Sequence, residues 1–161
     1  MAAPKCIALF WISLSKADQN MKKILFFGLA LLCTQVFAAT DLVVIVNPAS
    51  GVDKMSRDDV TSIFMGRTKK LPSGITALPI DLTAASGDKA KFYRDLINKE
   101  LAEVNSYWAR LIFSGQGSPP RQADNTAEVM EIVGGNKGAI GYVPRSAADK
   151  HVKIILDLSS Q

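Results

Sequence analysis

The sequence predicts an α/β domain, a mixed or parallel sheet flanked by helices. Short apolar runs rich in β-branched residues, such as 42–46 and 152–158, are separated by segments whose apolar residues recur three and four apart. Strands alternating with helices in this way imply layers built on one sheet. The bulk figures agree: 161 residues, 48% hydrophobic and 21% charged, suit one globular domain and exclude disorder as the main state. The chain has no repeats, low-complexity tracts, charge runs or internal linker.

Residues 42–46 (LVVIV) are wholly apolar, the pattern of a strand covered on both faces and usual in parallel sheets. Asn47-Pro48-Ala49-Ser50-Gly51 ends it as a turn. Ser56 opens a capping box with Asp59, and Val60, Ile63 and Phe64 give the following helix its apolar face. Gly66 stops that helix as a C-cap. Residues 75–80 read as a second strand with Pro79 near its end.

Ser86-Gly87-Asp88 begins a helix with Phe92, Tyr93, Leu96 and Ile97 on one side. A further helix carries Leu101, Val104, Trp108, Leu111 and Ile112, with Trp108 and Tyr107 read as core. Residues 113–120 (FSGQGSPP) form a shaped loop, because two glycines and a Pro-Pro pair exclude helix. Residues 126–133 read as a short helix, 139–143 as a strand and 152–158 as the last strand.

The net charge of +4 and a pI near 9.1 raise nucleic-acid binding, but the charge is unevenly placed. Lys5, Lys16, Lys22 and Lys23 precede residue 39 beside the single acid Asp18. From residue 39 onward, 15 basic residues face 14 acidic ones, a net of +1. The electrostatic case for nucleic acid disappears.

From Met21 the chain has the three parts of a secretory signal peptide: Lys22-Lys23, an apolar run over 24–33, and Val36-Phe37-Ala38 before a cleavage point. The run is too short to span a membrane. Residues 21–38 are therefore expected to be a signal peptide, 1–20 a spurious extension, and 39–161 the mature, periplasmic or secreted domain. Leu32 before Cys33 argues against lipoprotein acylation, and with Cys6 and Cys33 both in the leader the mature domain holds no cysteine.

His151 is the single histidine, so no histidine-based metal cluster or Ser-His-Asp triad can be assembled. No P-loop or dinucleotide fingerprint is present; Gly134 to Gly138 lacks the spacing. No enzyme activity, metal or cofactor is expected. Two small-residue loops stand out. At Ser86-Gly87-Asp88 a hydroxyl and free backbone N–H groups meet at a helix start, which suits an anion. The bland reading is that this serine caps the helix, as serine commonly does, and the Asp88 carboxylate already lies in the positive first turn. At Ser114, Gly115, Gln116 and Gly117, two glycines can present amides as a nest, or can simply turn the chain back onto the sheet. Arg67, Lys69 and Lys70 are read as solvated surface.

Several stretches together resemble the PstS-like phosphate-binding proteins of ABC transporters, members of the type 2 periplasmic binding fold. They are Ser56-Arg57-Asp58-Asp59 leading to Ile63-Phe64-Met65-Gly66-Arg67, then Ser86-Gly87 before Phe92, then Tyr107-Trp108 with Ile112-Phe113-Ser114-Gly115, and Gly138-Ala139-Ile140-Gly141-Tyr142-Val143. They span residues 43–143 in the family's order. The resemblance implies a single lobe where the family has two, the lobe carrying the Ser-Gly helix start. It implies phosphate or another small oxyanion as ligand, with Ser86 and Gly87 as donors, Thr83 adding a hydroxyl, and Ser114, Gly115, Gln116 and Gly117 as the neighbouring loop. The family's loop reads Arg-x-x-x-Ser-Gly-Thr; here Leu82 stands in the arginine position and Asp88 in the threonine position. An ABC permease or a membrane sensor is the implied protein partner, and a homodimer would rebuild a two-lobed cleft.

Overall fold

The computed structural model describes residues 41–159, which lie within one compact unit, Ala39–Gln161. The expected leader at 1–38 falls outside the described residues. Five strands form one sheet: β1 (Leu42–Val46), β2 (Leu78–Leu82), β3 (Arg121–Ala123), β4 (Ala139–Pro144) and β5 (Lys153–Asp157). Among the described residues, four α-helices accompany them: α1 (Arg57–Phe64), α2 (Gly87–Ile97), α3 (Leu101–Phe113) and α4 (Thr126–Gly135). The sheet order is β3-β2-β4-β1-β5.

The sheet is mixed. β2 runs parallel to both β3 and β4, whereas β1 runs antiparallel to β4 and β5. All five residues of β1 are fully buried. Its apolar run therefore does mark a strand covered on both faces, but one between antiparallel neighbours. Burial fixes apolar content on both faces, and strand direction leaves no such signature.

β4 shows how the layers form, because successive residues point to opposite faces. Tyr142 stacks on Phe92 of α2 at 3.8 Å between ring centroids, and Phe64 of α1 meets Phe92 edge-on at 4.8 Å. On the other face, Gly141 admits α4: a Cβ there would lie 2.7 Å from Val129 Cγ1. Aromatic pairs of this kind contribute about 0.5–1.5 kcal/mol each beyond their burial.

Local signals explain most boundaries. The capping box at α1 forms: Ser56 Oγ accepts from Asp59 N at 3.1 Å, and Asp59 Oδ2 accepts from Ser56 N at 3.2 Å. Asn47 ties β1 to the end of α4, its Nδ2 donating to Val133 O at 2.9 Å and Gly134 O at 2.7 Å. The second strand starts later and ends later than the apolar pattern predicts, at 78–82 instead of 75–80. Thr76 pairs only in an isolated bridge with Lys70. Pro79 fits inside the strand because only β4 runs alongside there; pairing with β3 begins at Ile80. β3, three residues long and carrying Arg121 and Gln122, has no apolar pattern to announce it.

Candidate functional site

β2 points at a turn, Thr83 to Ser86, that leads into α2. Thr83 N donates to Ala123 O at 3.1 Å, and Ser86 N donates to Thr83 O at 3.0 Å. Lys89 N closes the first helical turn onto Ser86 O at 3.2 Å. Ser86 has extended backbone at the N-cap position, yet its hydroxyl makes no capping bond. Among the described residues, the N–H groups of Gly87 and Asp88 also have no acceptor. Gly87 is exposed, and a Cβ there would meet nothing within 4 Å. Thr83, Ser86, Gly87 and Asp88 are thus brought together around one open helix start. Its unpaired donors and the helix dipole both favour an anion, while the Asp88 carboxylate beside them opposes one.

Beneath this turn lies a polar cluster that sequence reasoning missed. Asp81 and Lys89 are buried, with Lys89 Nζ 3.0 Å from Asp81 Oδ2. Tyr93 Oη donates to Asp81 Oδ2 at 2.9 Å, and Tyr142 Oη donates to Asp81 Oδ1 at 2.6 Å. Tyr142 Oη in turn accepts from Leu82 N at 3.2 Å. Burial first, and then the Asp81 negative charge, push both tyrosine hydroxyls far above their ordinary range, so they stay protonated donors. A buried carboxylate is tolerable only with such partners. The signal was present: Lys89, Phe92, Tyr93 and Leu96 follow helical spacing, which puts an ammonium on the buried face of α2.

The second predicted loop is elsewhere. Because β3 lies parallel to β2, the loop entering β3 sits beside the start of β2, near Leu78, and the Ser86 turn follows its end, about 13 Å away along the strand. Ser114, Gly115, Gln116 and Gly117 are therefore not neighbours of Ser86. Their amides are also largely used: Ser114 N, Gly115 N and Gln116 N donate to Arg110 O, Ile112 O and Leu111 O at 3.1, 3.1 and 2.9 Å. With Gly115 at φ +66°, this is a helix C-cap. It lies at the negative end of the α3 dipole, the opposite of an anion nest.

Among the described residues there is no group of three His, Cys, Asp or Glu able to hold a metal, and no helix long and apolar enough to cross a membrane. His151 is exposed and pairs with Asp149 at 2.9 Å.

The architecture, a five-stranded mixed sheet with helices on both faces, is that of a single periplasmic-binding-protein-like lobe. Comparison with solved structures bears this out. The chain is similar to an ABC-type phosphate transport receptor from Vibrio cholerae (TM-score 0.59, 17% identity), covering 75% of this chain and 47% of that one. It is similar to a phosphate ABC transporter substrate-binding protein with bound phosphate from Clostridium perfringens (0.55, 18%), covering 71% and 44%. It is also similar to PstS from Borrelia burgdorferi (0.55, 16%), covering 71% and 46%. At these identities the likeness is one of fold, and the chain spans less than half the length of each. No family model matches the sequence, and no curated protein does.

Proposed function

We propose that this protein is a periplasmic, non-enzymatic solute-binding protein whose ligand is phosphate or a related oxyanion, held at the start of α2. One observation carries the proposal: in a lobe folded like those of phosphate-binding proteins, Ser86 Oγ, Gly87 N–H and Asp88 N–H stand open and unpaired at a helix N-terminus. Thr83 adds a hydroxyl on the same turn. Leu82 offers no guanidinium, so the fit at this turn is to weak capture, millimolar rather than micromolar.

Calorimetry of the purified protein with phosphate and with sulfate tests this. Binding heat that is lost in Ser86→Ala is the expected result. No heat at millimolar ligand, or heat unchanged in Ser86→Ala, would overturn it.

The buried Asp81 favours a second reading. It gives Lys89 and both tyrosines a carboxylate partner within the lobe, so the cluster is internally satisfied without ligand. In that reading the domain is a ligand-free interaction module that docks on a membrane sensor or ABC permease. A pull-down from periplasmic extract that retrieves such a membrane partner supports this reading, and retrieval of none removes it. Light scattering tests the homodimer variant, which a strictly monomeric protein excludes.

A further inference from the structure

The loop at 113–120, which the anion reading leaves unused, walls a hollow of about 310 Å³ at the start of β2. Its floor is apolar, with Leu78, Leu111 and the buried Trp108. Two glycines flank the indole. Gly66 sits at φ +70°, and a Cβ there would come 2.8 Å from Trp108 Cη2; at Gly117 the distance to Trp108 Cζ3 would be 3.6 Å. Between them the indole lines the hollow. The rim carries Lys69 and Arg121, neither of which has a carboxylate in ion-pair range among the described residues, and no acidic residue lines the space.

We propose that this hollow is a second ligand site, and that it takes a small carboxylate with a flat apolar body. An apolar floor with a few converging polar groups, at this volume, is the usual make-up of a small-molecule site. Two uncompensated cations select an anion, and a guanidinium fork suits a carboxylate. The floor then gains from burying an aromatic or aliphatic body, at about 25 cal/mol per Å² of apolar surface. The site stands at the opposite end of β2 from Ser86, so it does not depend on the phosphate proposal.

Trp108 reports on the site directly. The sequence has two tryptophans, Trp11 and Trp108, so Trp11→Phe in the full chain leaves Trp108 alone. Benzoate is the probe and benzamide its uncharged counterpart. Benzoate is expected to change Trp108 fluorescence saturably, with benzamide at least about tenfold weaker. Lys69→Gln with Arg121→Gln, both exposed positions, is expected to weaken benzoate about tenfold or more without moving the thermal midpoint. Gly117→Val is expected to fill the hollow and abolish both; should it fail to fold, the charge variants decide alone. No saturable change up to about 10 mM benzoate, equal binding of benzamide, or unchanged benzoate binding in the double charge variant would overturn the proposal.

Discussion

Replacing Asp81 with asparagine isolates the buried cluster under the Ser86 turn. The substitution keeps volume and one acceptor but leaves the Lys89 ammonium, 6% exposed, with no anion within reach. Breaking a buried ion pair from one side costs about 3–5 kcal/mol, because the remaining charge is stranded in low dielectric. Against a total stability of about 5–15 kcal/mol this is severe. At about 4 °C per kcal/mol it lowers the thermal midpoint by about 15 °C.

Lys89→Met should cost less, about 2 kcal/mol, because Asp81 keeps two tyrosine hydroxyl donors. In Asp81→Asn/Lys89→Met no charge remains to be stranded, so the double variant should recover about 3 kcal/mol relative to the sum of the singles. Urea unfolding followed by circular dichroism measures all four corners of the cycle. Additivity within about 0.5 kcal/mol, or an Asp81→Asn cost below about 1 kcal/mol, would refute the claim that the pair is held as one buried unit.

The two hydroxyls that hold Asp81 set a pH limit. Tyr93 and Tyr142 are raised in the fold above their unfolded value, so stability is intact below about pH 10 and falls above it, by about 1.4 kcal/mol per pH unit for each. Denaturation curves from pH 9 to 11 should flatten when Tyr93 and Tyr142 are replaced by phenylalanine. The two serine helix starts should separate cleanly: Ser56→Ala breaks a formed capping box and costs about 1 kcal/mol, whereas Ser86→Ala, whose hydroxyl caps nothing, stays within about 0.5 kcal/mol of the parent in the same assay. Gly141→Ala forces a Cβ to 2.7 Å from Val129 and should lose about 1–3 kcal/mol by pushing α4 off the sheet.

The elements legible in the sequence were those with strong local causes. α1 announced itself through Ser56 and Asp59, β1 through five apolar residues, and α2 through the spacing of Phe92, Tyr93 and Leu96. β3 was invisible because Arg121 and Gln122 are exposed edge residues, placed by pairing with β2 and not by their own pattern. The antiparallel setting of β1 was likewise hidden, since a strand buried on both faces looks the same in either direction.

The site divides in the same way. The Thr83–Asp88 turn is contiguous, so its assembly needed no tertiary knowledge. Whether the 114–117 loop neighbours it depends on which end of β2 that loop reaches, which the pairing and direction of β3 decide. Asp81 falls just past the strand expected at 75–80, and only the fold closes Lys89, Tyr93 and Tyr142 around it. That cluster joins β2, α2 and β4, and no local pattern in the sequence links those three segments.

The amide resonances of Gly87 and Asp88, followed while phosphate is titrated into the isotopically labelled protein, test the central claim most directly. Saturable shifts confined to Thr83, Ser86, Gly87 and Asp88 are expected, absent in Ser86→Ala and leaving the 114–117 amides unmoved. Unchanged resonances at Gly87 and Asp88 through millimolar phosphate would contradict it.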